Sequence, residues 1–451
     1  MVMAVVLVLL VVGSLLFHYL SPWYFLPLAS NWGTIDDTVH ITFWVTGIVF
    51  VVVNLFMAWC VLRFRNGKAK TADYEPENKK LEGWLVLLTS VGVAAMLTPG
   101  LFAWAKFIDV PKDAAVMEVV GRQWNFNYRF PGEDGVLGTV DARFVSETNP
   151  FGINPDDPHG KDDVLIATQE LHVPVDKPIK MELRSIDVLH DFTVPQMRSK
   201  MNMAPGLVTY LWFTPTRTGK FDAFCEQLCG IAHYAMRGTL VVEDEASFQK
   251  WKAGFPTFAQ TQSEPSGDAT AGAALYAVCA ACHGAQGEGN PALNAPKLAG
   301  QQGWYLKRQL ANFKAGARGA NDKDTYGKTM APMAQTLPDA AAINNVIAYI
   351  KTLPDTPAPP TVTGNAKDGH GPYENCAACH GANGKGIWAT NAPRLQGMSD
   401  WYMVTQLKNF KHGIRGGDRR DSYGPQMASL AAMLDNDRMI ANVVAYINSL
   451  K

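Results

Sequence analysis

Three long apolar stretches fill the first quarter of the chain, and none comparable follows. Met1–Leu20 carries no charged side chain, while Val39–Leu62 and Trp84–Ala105 are each about the 20 residues that a helix needs to cross bilayer hydrocarbon. Arg63, Arg65, Lys68, Lys70, Lys79 and Lys80 gather between the second and third stretches. This predicts a cytoplasmic loop there and an outer-side location for everything after Lys106. Trp23, Tyr24, Trp32 and Trp104 are placed for the aromatic belts at the two interfaces. The first stretch lacks a basic leader and a small-x-small cleavage site, so it reads as a retained helix rather than a cleaved signal peptide. His18, His40 and Cys60 read as packing or lipid-facing residues.

From Val110 to about Gly254 the period changes to two. Met117–Val120, Val164–Ala167, Ile179–Leu183, Leu207–Phe213, Lys220–Phe224 and Gly238–Val242 are short runs of β-branched and aromatic residues between Gly, Pro and Asp. Such spacing predicts a β-sandwich or barrel. Trp124, Phe126, Tyr128 and Phe130 alternate with polar neighbours and so share one face of a strand, mostly core. Phe255–Ala269, rich in Thr, Gln, Ser and Pro, reads as a linker. A second, Pro354–Gly369, contains Thr-Pro-Ala-Pro-Pro and predicts an extended connection.

After the first linker the chain repeats itself at an offset of 97 residues without a gap. The offset pairs Trp304-Tyr305 with Trp401-Tyr402, Gln309-Leu310 with Gln406-Leu407, and Asn312-Phe313-Lys314 with Asn409-Phe410-Lys411. It also pairs Arg318-Gly319 with Arg415-Gly416, and Ala348-Tyr349-Ile350 with Ala445-Tyr446-Ile447. Each copy contains Cys-x-x-Cys-His: Cys279, Cys282 and His283 in the first, Cys376, Cys379 and His380 in the second. Two thiols one helical turn apart can bond both vinyl groups of one haem, leaving the next imidazole for the iron. A redox dithiol or half a zinc site explains neither the His nor the duplication. Met330 and Met427 are repeat-equivalent, each 47 residues after its His, and are the candidate sixth ligands. Met333 aligns with Leu430, and Met433 has no Met counterpart.

Of the seven cysteines, Cys225 and Cys229 remain, in Cys225-Glu-Gln-Leu-Cys229-Gly-Ile-Ala-His233-Tyr-Ala-Met236 between two predicted strands. Thiolate, imidazole and thioether together suit copper, and Met is a poor zinc ligand. Two bridging thiolates can hold two coppers if another imidazole arrives, and His190, read as closing an upstream strand, is the candidate.

The copper loop, the Asp187-Val-Leu-His190 segment, the Gln123-Trp124 strand, Pro205-Gly206 and the preceding helical hairpin resemble subunit II of cytochrome c oxidase over roughly residues 39–254. The full chain resembles the bacterial form with fused cytochrome c domains, here two. The resemblance implies a dinuclear CuA centre held by His190, Cys225, Cys229, His233 and Met236, with the backbone carbonyl of Gln227. It implies that electrons reach copper by way of Trp124, and that Pro296 and Pro393 match the proline of class I cytochromes c whose carbonyl holds the haem-ligating imidazole. Most relatives carry Glu at Gln227, where it helps to bind magnesium, so copper is safe and magnesium is left open. At Lys200-Met201-Asn202 many relatives carry Asp within a docking surface for soluble cytochrome c. Glu82 resembles a glutamate at a proton-channel mouth, its spacing to Trp84 one residue short, against a plain interfacial carboxylate.

The architecture expected is therefore multidomain: a membrane anchor of transmembrane α-helices (1–108), a cupredoxin-like Greek-key β-sandwich (109–254), a linker (255–269), an all-α class I cytochrome c domain (270–353), a Pro-rich linker (354–369) and a second such domain (370–451). The implied role is the electron-accepting subunit of a haem-copper terminal oxidase in the bacterial inner membrane, with copper and haem domains in the periplasm. A periplasmic cytochrome c or quinol-oxidising complex would donate. Subunit I, accompanied by subunit III, would reduce oxygen and pump protons, and this chain holds no catalytic residue. The small subunit of a CuA-containing nitric oxide reductase and a free-standing membrane-anchored carrier are the alternatives. Overall the charge is balanced, 40 Lys+Arg against 41 Asp+Glu, which argues against nucleic acid as a partner. The balance hides an asymmetry: residues 110–254 carry 15 basic against 20 acidic side chains, and residues 269–451 carry 18 against 12. Docking of the basic haem domains on the acidic copper domain is the expectation that follows.

Overall fold

The computed structural model describes residues 1–21, 25–64, 76–166, 168–263, 266–418 and 420–450. Trp23, Tyr24, Arg65, Lys68, Lys70 and Ala167 lie outside the described residues. Helices α1 (Val2–Leu20), α2 (Gly33–Arg63) and α3 (Lys79–Ile108) are each long and apolar enough to cross a membrane. Both α2 and α3 start earlier than the apolar runs predict. The Asn78 side chain caps α3 by accepting from the Leu81 N–H, which carries the polar Lys79–Gly83 turn into the helix.

Trp32 is not a belt residue. It is 2% exposed, its indole donates to the Trp212 carbonyl at 2.9 Å, and Trp212 in turn donates to the Phe107 carbonyl at 2.8 Å. Both tryptophans thus fasten the anchor to the β domain, helped by the two-pronged Arg198–Asp36 pair at 2.6 and 2.9 Å.

The β domain is a sandwich of two five-stranded sheets. One has the order β3 (Val164–Ile166), β2 (Asn125–Phe130), β1 (Ala115–Arg122), β5 (Ile179–Ser185), β8 (Thr209–Phe213). The other runs β4 (Glu170–Pro174), β10 (Arg237–Glu243), β9 (Gly219–Phe224), β6 (His190–Val194), β7 (Ser199–Met203). β1 and β5 pair in parallel, as do β10 and β4, and the other pairs are antiparallel. Phe126, Tyr128 and Phe130 are buried as the alternation predicts, but so are Asn125 and Arg129. Arg129 is paired on two sides, to Glu118 at 2.8 Å and Asp163 at 2.5 Å, which is how β2 keeps a charge inside. Trp124 sits in the two-residue turn between β1 and β2 rather than on the strand. His190 opens β6 instead of closing a strand.

The first expected linker belongs largely to the sandwich. Helix α4 (Glu245–Lys252) is followed by α5 (Phe258–Gln262), which a Thr257–Gln260 capping box starts. Phe258 then buries itself in a satellite core with Leu165 and Ile153 while Phe255 packs on Trp251, so the two large apolar residues of that Thr/Gln stretch decide its placement. Residues 354–365 lack helix and strand, as expected, but they are pinned. Asp355 binds Lys297 at 2.7 Å and Arg394 at 2.5 Å, and Asp400 accepts from the Thr361 hydroxyl at 2.6 Å.

The repeat folds as two four-helix units, α6 (Ala269–His283), α7 (Gly303–Lys314), α8 (Thr325–Gln335), α9 (Ala340–Ile350) and α10 (Ala366–His380), α11 (Asp400–Lys411), α12 (Gly424–Ala431), α13 (Asp437–Ser449). The second unit starts four residues before the expected 370, where the Asn365 side chain caps α10. First and last helices of each unit cross closely at Gly272 and Gly369, where a Cβ would lie 2.0 Å from the carbonyl oxygen of Asn345 or Asn442. Gly369→Ala should therefore cost about 2–3 kcal/mol by overpacking, read as a lowered midpoint of thermal unfolding. Gly371→Ala, whose Cβ would meet nothing within 4 Å, should be neutral or slightly stabilising; equal effects would refute this account of the crossing.

Candidate metal and haem sites

The copper-type motif spans the connection from β9 to β10, which the Cys225 N–H closes by donating to the Met236 carbonyl at 3.2 Å. The fold of this loop stacks its sulfurs: Cys225 Sγ lies 3.8 Å from Cys229 Sγ, which is 3.9 Å from Met236 Sδ and 3.4 Å from His233 Nδ1. From β6, His190 completes the cluster, and ligand atoms of His190, Cys225 and Cys229 all lie within 4.8 Å of one another. The Gln227 carbonyl accepts from Cys225 Sγ at 3.1 Å, so its main chain faces the same point. All five side chains and the one carbonyl expected from the sequence thus come together.

Asp187 opens the segment that carries the resemblance, but the sequence assigns it no role at the site. Its carboxylate bonds His190 Nε2 at 2.8 Å, leaving His190 Nδ1 buried and without a hydrogen-bond partner. An orphaned imidazole nitrogen beside two thiols is the condition of a metal ligand awaiting its ion. Bonding from the Cys229 thiol holds Cys225 below the usual thiol range against the upward push of burial. Cys229 is pushed up by that same pairing and by burial. The donor set fits copper.

Trp124 is 3% exposed, and its indole N–H donates to the Cys229 carbonyl at 3.2 Å, the acceptor that the Gln123 amide also uses at 2.8 Å. Lys200 pairs with Glu226 at 2.8 Å and reaches the buried Asp191 at 3.3 Å. Glu82 is an exposed carboxylate in the first turn of α3.

In the helical units, α6 and α10 end on His283 and His380. Their Nδ1 atoms meet the carbonyls of Pro296 and Pro393, each at 2.7 Å, which leaves Nε2 as the nitrogen for iron. Burial keeps both rings below the usual imidazole range, with those carbonyls opposing, so the neutral ligating form prevails. Burial likewise pushes the thiols of Cys376 and Cys379 up, to about 11 and about 12. Met330 on α8 and Met427 on α12 line the same joined apolar cavity as His283, His380, Cys279 and Cys376. Met333 is partly exposed, and Met433 Sδ accepts from the Tyr234 hydroxyl at 3.8 Å.

Between the units lies a polar network that sequence reasoning paired without assigning. Arg318 donates to Gln309 at 2.8 Å within its own unit and to Gln406 and Tyr402 across the boundary. Arg415 mirrors it, bonding Gln406 at 2.8 Å, Gln309 at 2.8 Å and Tyr305 at 3.3 Å. The Nε atoms of both arginines are buried and unpartnered, and both side chains line the cavity, where they would offer charge-assisted donors to an anionic group. The lining of the cavity, with His283, His380, Cys279, Cys376, Met330 and Met427, fits haem c.

Residues 115–244 match the family described as cytochrome c oxidase subunit II, periplasmic domain, and residues 269–354 and 366–451 each match cytochrome c. The alternative cytochrome c oxidase subunit 2 of Bradyrhizobium diazoefficiens is 55% identical over 259 residues, 57% of this chain and 94% of that protein. Cytochrome c4 of Pseudomonas aeruginosa is 34% identical over 195 residues, 41% of this chain and 90% of that one. The crystal structure of reduced cytochrome c4 from Pseudomonas stutzeri, 32% identical, covers 41% of this chain and all of its own, with a TM-score of 0.34. These matches imply CuA copper in the sandwich and haem c in the helical units. The chain belongs to the cytochrome c oxidase subunit II family, carrying two cytochrome c domains behind the copper domain.

Proposed function

We propose that this chain is the electron-accepting subunit of a bacterial haem-copper oxidase, anchored in the inner membrane with its copper and haem domains in the periplasm. A periplasmic cytochrome c or quinol-oxidising complex delivers electrons to the helical domains. They pass to the sandwich and then to subunit I, where oxygen is reduced and protons are pumped, with subunit III alongside. The observation that carries this reading is the convergence of His190, Cys225, Cys229, His233 and Met236 on one buried point, in a chain that also buries two Cys-x-x-Cys-His helices.

His190, Cys225, Cys229, His233, Met236 and the Gln227 carbonyl hold the dinuclear copper. Cys279, Cys282, His283 and Met330 hold one haem, and Cys376, Cys379, His380 and Met427 the other. These groups supply one-electron transfer when bound. The protein's part is to fix ligands, exclude water and hold the imidazole rings in orientation, as Pro296, Pro393 and Asp187 do. Magnesium is not assigned to Gln227, because an amide side chain offers no charge to it.

Metal and haem analysis of the purified chain, with electron paramagnetic resonance, should give two coppers in one mixed-valence centre and two covalent haems. A silent copper region would sink the reading. Cys225→Ser and Cys229→Ser should each abolish that signal, whereas Gln227→Ala, which keeps the carbonyl, should retain the copper count after dialysis. In the purified complex a large polytopic haem subunit should accompany this chain, and oxygen rather than nitric oxide should be consumed. Nitric oxide consumption would favour the reductase alternative, and absence of the large subunit a free-standing carrier.

A further inference from the structure

We propose that the second helical domain, not the first, passes electrons to the copper domain, across a contact organised by Trp124; this rests on the function proposed above. The α12 helix lies against the His233–Ala235 turn of the copper loop. Its Gln426 amide donates to the Trp124 carbonyl. Cys379, Ala392 and Leu430 enter the same apolar cluster as Trp124, Cys225, Cys229 and Met236. At the rim, Tyr234 meets Met433, and the Arg122 guanidinium lies 5.6 Å from the Trp388 ring centre. A haem-anchoring cysteine and two copper-ligating cysteines thus share one dry cluster, with the Trp124 indole bonded to the Cys229 carbonyl between them.

The repeat makes the assignment specific. At the 97-residue offset, Trp388, Gln426, Leu430 and Met433 correspond to Pro291, Thr329, Met333 and Thr336, so the first domain lacks the groups that make this contact. Its equivalent face is open: Cys282 is exposed where Cys379 is buried. Around it Val278, Leu293, Tyr326 and Met333 are 48%, 53%, 50% and 37% exposed. One copy of a duplicated haem-edge surface is therefore consumed by the copper domain, and the other is left for whatever arrives from outside. Between the domains, the Arg318 and Arg415 network holds the two haem pockets in one body, so the order along the chain is first domain, second domain, Trp124, copper.

The test uses the full chain loaded with copper and haem c. Pulsed electron paramagnetic resonance should give a shorter distance from the copper centre to the iron held by His380 than to that held by His283, the two being distinguished by Met427→His and Met330→His. Haem-to-copper equilibration is then followed after a flash-generated viologen radical. Leu430→Glu, and more mildly Gln426→Ala, should slow it by about tenfold, ~1.4 kcal/mol on the barrier, with both haem potentials unchanged. The repeat-equivalent Met333→Glu and Thr329→Ala should leave it unchanged. A shorter distance to the first iron, or slowing by the Met333 and Thr329 variants instead, would overturn the order while leaving the proposed function intact. A chain that takes up no copper or no haem would overturn both.

Discussion

The architecture depends on a buried tryptophan whose indole N–H and main-chain carbonyl are both hydrogen-bonded to other elements. An indole removed from water needs an acceptor for its N–H. Trp124 finds one in the Cys229 carbonyl, on the loop that carries the copper-type ligands, and its own carbonyl accepts from Gln426 on the second helical domain. One residue therefore ties the β1–β2 turn, the copper loop and α12 to a single geometry. Shifting any of the three would strand a buried donor or acceptor, at roughly 1–3 kcal/mol per group. That cost helps to keep the haem-bearing domain against the sandwich.

The duplicated domains show how one sequence pattern can encode two kinds of contact. Residues identical between copies, Tyr305 and Tyr402, Gln309 and Gln406, Arg318 and Arg415, build the boundary where the copies face each other, and a near-symmetric pair needs matching halves. Residues that differ between copies sit where the environments differ. Trp388, Gln426 and Leu430 meet the copper domain, whereas Pro291, Thr329 and Met333 do not. Identity across the repeat thus marks the pseudo-symmetric interface, and divergence marks the asymmetric one.

Much of this was legible in the chain because its chemistry is local. Helix spans, the Cys-x-x-Cys-His motifs and the Cys225–Met236 loop are all contained within short stretches, and the structure has a helix or loop at each, with helix starts up to six residues earlier than the apolar runs. What was missed depends on residues far apart. Strand β6 is buried at every position and so shows no alternation, and β7 is a polar Ser-Lys-Met-Asn-Met run. Trp32 looks like an interfacial aromatic until Trp212, 180 residues away, supplies its acceptor. Phe258 is an apolar residue in a stretch whose composition says linker, and only the satellite core reveals its place. Asp187 sits three residues before His190, and its role becomes visible only when the ring's two nitrogens are distinguished by what each one meets.

Charge counts predicted that basic haem domains would dock on an acidic copper domain, and the docking is present without the pairing. Among the described residues no salt bridge crosses from the sandwich to the helical domains; the contact is apolar, with an amide bond, a hydroxyl–thioether bond and a cation–π approach. The two facts are compatible because they act at different ranges. Opposite net charges attract over a screening length of about 8–10 Å, which matters for partners that must find each other by diffusion. Domains on one chain start at an effective concentration in the millimolar range, so steering adds little and desolvating ion pairs would only weaken the contact. What the tethered domain needs is orientation. A directional hydrogen bond to Trp124 inside a small dry patch provides that, and it stays in force at any ionic strength.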